Sequence, residues 1–219
     1  MSFAGVLPSR PNCRPSGDFI MIVSHKHKFI FFKPHKVAGT SVHLALSEFC
    51  GKDDIITRLG IFRADHDQTE YKPVSRNESV FTNHSTPEEL RSKMPEIYSK
   101  YTKITIVRNP WDAAASAYWW HTKGKIPFVI YLRKKYDLNN ERYYFSEGKP
   151  ICDIYLRYER LEKDYQELCK KFGFEYRELP RTKTLTRSNR EYRYLFNEKT
   201  KARIKDLNRQ TIYNFGYRF

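Results

Sequence analysis

Two segments of this chain join an apolar, strand-like run directly to a helix-like one, and a strand feeding a helix N-terminus constrains the fold more than any other pattern in it. In the first, Phe29-Ile30-Phe31-Phe32 reads as a buried strand and Thr40 to Phe49 as a helix, with Lys33-Pro34-His35-Lys36-Val37-Ala38-Gly39 between them. In the second, Lys103 to Val107 alternates and is rich in β-branched residues, and Arg108-Asn109-Pro110-Trp111-Asp112 leads into Ala113-Ala114-Ala115-Ser116. The first amides of a helix have no intrahelical partner and lie at the positive end of its dipole. Each junction therefore favours an anion before any side chain contributes.

Side chains add to both junctions. Gly39 allows the close backbone approach that a phosphate or sulfate requires, Thr40 and Ser41 supply hydroxyls and amides, and Lys36 brings a mobile positive charge. Pro110 suits the first helical position and Asn109 the N-cap. Asp112 resembles the acidic half of a capping box, which makes it structural rather than catalytic. Arg108 at the strand exit and Ser116 about two helical turns later can address one phosphate, which a guanidinium fork and a hydroxyl both suit. Ordinary helix capping in an α/β domain is the structural alternative for both segments.

Lys36-Val37-Ala38-Gly39-Thr40-Ser41 resembles the 5′-phosphosulfate loop of the sulfotransferases that use 3′-phosphoadenosine 5′-phosphosulfate (PAPS). Val107-Arg108-Asn109-Pro110-Trp111-Asp112 to Ser116-Ala117-Tyr118 resembles their 3′-phosphate motif. The likeness continues weakly through Tyr158-Glu159-Arg160-Leu161-Glu162-Lys163-Asp164. It ends in Phe215-Gly216-Tyr217-Arg218-Phe219, similar to the closing segment of many members of the carbohydrate (Golgi-type) sulfotransferase family.

That resemblance implies a three-layer α/β/α domain of P-loop-like sulfotransferase fold with a mainly parallel central sheet. It implies PAPS as cosubstrate, no metal, and sulfuryl transfer to a hydroxyl or amine of an acceptor, a carbohydrate in this family. Carried onto this chain, Lys36 stabilises charge on the departing phosphate oxygen, and Lys36, Val37, Ala38, Gly39, Thr40 and Ser41 hold the 5′-phosphate. Arg108 and Ser116 hold the 3′-phosphate. Arg187, in the basic, hydroxyl-rich stretch Lys183 to Arg190, is a third contact on that side. His84 lies between the two motifs, where the family often places a catalytic histidine or glutamate, and its ordinary pKa of about 6.5 suits a general base. Capping of the next helix is the structural alternative for His84. His35 is the second choice of base, and Glu48, Asp65, His66 and Asp67 stay open.

Other classes compete. A nucleotide kinase needs a P-loop lysine directly after the last glycine, and neither Gly-Lys-Ser nor Gly-Lys-Thr occurs here. The excess of 40 Lys and Arg over 25 Asp and Glu, a net +15, favours anionic partners: PAPS, its product 3′-phosphoadenosine 5′-phosphate (PAP), and an anionic glycan or acidic peptide as acceptor. A basic, aromatic-rich chain also suits nucleic acid, but the charge is spread along the sequence and no zinc-finger, basic-zipper or RNP-type signature appears.

No Pro/Gly/Ser-rich linker divides the 219 residues, so residues 1–219 read as one domain, with 1–18 irregular. Cys13, Cys50, Cys152 and Cys169 lack metal or redox spacing and read as reduced, while His25 and His27 lack a third ligand. No signal peptide or membrane span is visible. The expectation is a cytoplasmic protein, or the soluble catalytic domain of a longer membrane-anchored one. Gly51 to Ser79 reads as a functional loop or a run of short elements, and Ser79 to Thr82 as a short strand. Thr86 caps a helix from Pro87, Asp153 to Arg157 forms a strand, and Leu161, Tyr165, Leu168 and Phe172 make a helical core stripe ending at Gly173.

Overall fold

The computed structural model describes residues 20–58, 62–63, 70–71, 75–77, 86–134, 136, 138–180 and 191–219. The elements, in chain order, are β1 (Ile20–Ser24), β2 (Phe29–Lys33), α1 (Gly39–Ser47), β3 (Ile55–Ile56), β4 (Phe62–Arg63), β5 (Glu70–Tyr71), α2 (Pro87–Lys93) and α3 (Pro95–Lys100). They continue with β6 (Thr102–Val107), α4 (Pro110–Thr122), α5 (Phe128–Lys134), β7 (Phe145–Ser146), β8 (Lys149–Pro150), β9 (Ile154–Arg157), α6 (Leu161–Phe172), α7 (Glu198–Leu207) and α8 (Arg209–Phe215). The stretch after Gly51 thus holds short elements, β3 to β5. The strand expected at Ser79 to Thr82, the N-terminal segment and the loop from Lys183 to Arg190 lie outside the described residues.

Five strands form the central sheet in the order β3-β1-β2-β6-β9. β2 pairs with β6 and β6 with β9 in parallel, whereas β1 is antiparallel to both β2 and β3. Four strands therefore run one way and β1 opposes them, so a sheet that is mainly parallel in direction is mixed in its pairing. The run expected as the first strand is in fact the second. Ile20 to Val23, equally apolar, forms β1 and returns through a turn in which Lys28 takes a left-handed φ of 56°. His25 and His27 belong to that turn rather than to an approach to the sheet. His25 Nδ1 lies 3.0 Å from the Tyr101 hydroxyl and His27 Nε2 3.0 Å from the Phe49 carbonyl oxygen.

The strands are apolar on both sides because both faces of the sheet are covered. Alternation along β2 sends Ile30 and Phe32 into one cluster with Met21, Val23, Trp111 and Tyr131, and Phe29 and Phe31 into another with Ile22, Val42, Leu46 and Leu168. α4, α5, α7 and α8 contribute to the first cluster, α1 and α6 to the second, which gives three layers. On α6, Tyr165 and Leu168 are buried, and the helix ends at Gly173 with φ 68°. Thr86 and Glu89 form a reciprocal capping box at α2: Thr86 Oγ1 accepts the Glu89 N–H at 3.2 Å and Glu89 Oε2 accepts the Thr86 N–H at 2.8 Å.

Asp54, in the segment after α1, ties the β1–β2 turn to β3. Its carboxylate accepts from Ser24 Oγ (2.7 Å) and from the backbone N–H groups of His25 (2.7 Å), Lys26 (3.1 Å) and Gly51 (2.8 Å). Cys50, Cys152 and Cys169 are free and buried; Cys13 lies outside the described residues. Among the described residues no helix is long and apolar enough to cross a membrane.

Candidate functional site

Because β2, β6 and β9 are adjacent and parallel, the segments that leave their carboxyl ends emerge side by side. These are residues 34–38, Arg108-Asn109 and Tyr158-Glu159. Two of the three are the junctions singled out in the sequence.

In the first junction Lys36 and Ala38 take left-handed backbone angles, φ 59° and 60°, which residues with a Cβ seldom adopt. Left-handed residues in so short a turn direct backbone N–H groups towards one concave side, an arrangement that suits anions. Ala38 is the N-cap of α1 and brings no side-chain acceptor to the first-turn amides. The Ser41 N–H donates to the Ala38 carbonyl at 3.1 Å. Thr40 and Ser41 are buried, and the Val37 side chain belongs to the core, so only its backbone can serve a ligand.

Gly39 has a role the sequence did not suggest. A Cβ there would meet Lys33 Cγ at 2.3 Å and Cδ at 3.1 Å. The missing side chain lets the Lys33 stem cross the start of α1, and this brings a second lysine to the loop.

In the second junction Asn109 caps α4 as expected, its Oδ1 accepting the N–H groups of Trp111 (3.1 Å) and Asp112 (3.4 Å). The capping-box reading of Asp112 does not hold. The Asn109 N–H donates instead to Glu159 Oε1 at 2.6 Å, while Asp112 Oδ2 accepts from Arg108 Nε at 2.8 Å and Nη2 at 2.7 Å. Arg108 also donates from Nη1 to the Lys36 carbonyl at 2.6 Å, and its guanidinium lies 3.7 Å over the Tyr158 ring. It is 8 % exposed and touches all three strand exits. Three of its five N–H hydrogens are engaged in these bonds, which leaves one on each terminal nitrogen.

Ser116 is half-buried one turn beyond Asp112, and Trp120 follows one turn later, so residues 112, 116 and 120 form one stripe on α4. Lys36 Nζ lies 4.3 Å from the centre of the Trp120 ring. Trp119, by contrast, packs against the core and over Gly124.

His35 is held through its backbone: its N–H donates to Asn140 Oδ1 and its carbonyl accepts from Asn140 Nδ2, both at 2.9 Å. Burial, followed by the charges of Arg142, Lys33, Lys36 and His121, lowers its pKa to about 4. Such an imidazole is neutral near pH 7 and ill matched to general-base work. His121 is lowered as well, by burial and then by Lys36, and its Nδ1 lies 2.8 Å from the Tyr131 hydroxyl. His43 on α1 is fully buried with no hydrogen-bond partner for either ring nitrogen, and burial, then Lys33, keeps it neutral. The site is thus a convergence of Lys33, Lys36 and Arg142 among histidines that burial first, and these charges second, hold uncharged.

Glu48 sits beyond the far end of α1, about 13 Å along the helix from Gly39. It pairs there with Arg177 at 3.3 Å, which removes it from the candidate bases. His84, Asp65, His66, Asp67 and Arg187 lie outside the described residues. Among the described residues no group of three or more His, Cys, Asp or Glu is placed to hold a metal ion. Tyr158 and Glu159 had a sequence signal in the segment starting at Tyr158. Asn140 had none, and Lys33, although it opens the first junction, matters through a contact with the start of α1 that no local pattern announces.

A family model described as "Sulfotransferase family" matches residues 20–142, more than half of the 219-residue chain. The match begins at β1 and takes in both junctions. No curated protein and no solved structure matches the chain.

Proposed function

The chain belongs to the sulfotransferase family, and from that premise we propose that it moves a sulfuryl group from PAPS to a hydroxyl or amine of an anionic glycan. Sulfuryl transfer in general follows from the family. The observation that carries the finer reading is the 2.6 Å bond from Arg108 to the Lys36 carbonyl, which joins the two anion-favouring junctions into one site. A donor with phosphate groups at its 5′ and 3′ positions suits two such junctions side by side. The left-handed turn before α1 supports a P-loop-like arrangement for the first of them.

In this reading the amides from Val37 to Thr40, the Ser41 hydroxyl and the Lys36 ammonium hold the 5′-phosphosulfate. Arg108, with its remaining hydrogens, holds the 3′-phosphate together with Ser116 and Arg187. As the sulfur–oxygen bond to the donor phosphate breaks and one to the acceptor forms, Lys36 offsets the charge left on the phosphate oxygen. His84 takes the acceptor proton. The net charge of +15 supports an anionic acceptor, since a single nucleotide needs only part of it.

The experiment is calorimetric titration of the metal-free protein with PAP, for wild type, Lys36→Ala and Arg108→Ala, followed by transfer from PAPS to a panel of glycans with His84→Ala as the control. Micromolar PAP binding that weakens sharply in Arg108→Ala, with transfer lost but PAP binding kept in His84→Ala, is the expected result. A folded wild type that ignores PAP overturns the reading. Magnesium-dependent ATP binding would replace it with a kinase, and steeply salt-dependent binding to DNA or RNA with a nucleic-acid module.

A further inference from the structure

We propose that Trp120 is the positioning residue for Lys36, its indole face fixing where the ammonium stands. The inference rests on the reading of Lys36 as the lysine that meets the donor.

Two features of the ring single it out. It is 39 % exposed, where Trp111 is buried in the core, and it lies beneath Lys36 Nζ at 4.3 Å. Its place on α4 is equally specific. Ser116 stands one turn before it and Asp112 two turns before, and Asp112 holds the guanidinium that grips the Lys36 carbonyl. Lys36 is therefore held at both ends from one helix junction, its carbonyl by Arg108 and its ammonium by Trp120.

Such a hold is needed because of the company Lys36 keeps. Lys33 and Arg142 share its neighbourhood closely enough that all three act on His35. Like charges push a flexible lysine outwards into solvent. The negative face of an indole counters that push without neutralising the ammonium, so the full charge is kept for an anion. A carboxylate in the same place would compete with the donor; a ring does not.

The test needs a readout that mere packing would not move. With 5-fluorotryptophan in place of the three tryptophans, the Trp120 resonance is assigned by its loss in Trp120→Phe. Lys36→Met is expected to shift that resonance and leave those of Trp111 and Trp119 in place; a Trp120 signal that does not move overturns the proposal. In turnover with PAPS, Trp120→Leu is expected to lower kcat about tenfold with the KM for PAPS little changed, and Trp120→Phe to restore part of it, in line with ring strength. Tetrafluorotryptophan placed at position 120, which keeps the shape and drains the ring, is expected to mimic the leucine variant at unchanged melting temperature. Full kcat in folded Trp120→Leu overturns the proposal. Should wild type fail to bind PAP, the transferase reading falls, while the Trp120 contact is still judged by its resonance.

Discussion

The Arg108 guanidinium donates to the Lys36 carbonyl across 72 residues of sequence, at 2.6 Å, so the exit of β6 holds the exit of β2 in shape. The carbonyl it holds belongs to a residue with φ 59°, a conformation that needs outside support.

Arg108→Lys keeps the charge but loses the fork, and with it the two bonds to Asp112, the bond to Lys36 and the stack on Tyr158. Breaking a buried pair of this kind is expected to cost about 3 kcal/mol of stability, measured by urea denaturation, and to weaken PAP binding at least about tenfold. Asp112→Asn leaves the Lys36 bond in place and is expected to cost stability with a smaller loss of PAP affinity.

Gly39→Ala is expected to destabilise by about 1–3 kcal/mol, because its Cβ would fall 2.3 Å from Lys33 Cγ. In a Lys33→Ala background that atom is gone and the penalty should vanish. A double-mutant cycle read by thermal or chemical denaturation measures the coupling directly. If Gly39→Ala costs as much without Lys33 as with it, the glycine serves the backbone and not the lysine.

Stability should fall as the solution is acidified through the histidine range. His35 titrates near 6.5 when unfolded and about 4 when folded, so between these values the unfolded chain binds a proton that the native site refuses. Its contribution is complete above about pH 6.5 and is lost progressively down to about 4. His43 acts in the same sense. Because Asn140 grips the backbone of residue 35 and not its ring, His35→Gln keeps the clamp, and its denaturation free energy should show a shallower slope over this window.

Asp54→Asn is expected to cost about 2–3 kcal/mol, since the amide must replace a carboxylate that accepts four hydrogen bonds. Burial by itself raises this carboxyl, but the bonds from Ser24, Gly51, Lys26 and His25 outweigh it and hold the pKa below the ordinary 3.8. The carboxylate's advantage is therefore complete above that value and disappears as pH falls through the folded pKa. Denaturation curves of wild type and Asp54→Asn should draw together below about pH 4.

Much of the scaffold was legible because it follows from short-range rules. Asn109 caps α4 and Thr86 caps α2 because a side chain one turn away satisfies helix-end amides, and Tyr165 and Leu168 are buried because helical period places them on one face. Asp112 was misread for an instructive reason. Its spacing from Asn109 fits a capping box, but Glu159, delivered by β9, took the Asn109 N–H and left Asp112 to Arg108. β1 went unseen although Ile20 to Val23 is as apolar as Phe29 to Phe32, since a short apolar run does not say which strand it will pair with.

The sequence by itself determined the two strand-to-helix junctions, their basic residues, the caps and the core stripes, all of which depend on neighbours within a turn or two. Tertiary structure alone decided that β1 opposes the other strands, that Gly39 makes room for Lys33, that Asn140 clamps His35, and that Arg108 and Trp120 hold the two ends of Lys36. Those contacts join residues brought together by sheet order and helix packing. That order is set by the summed burial of two faces of a sheet, which no local stretch of sequence carries.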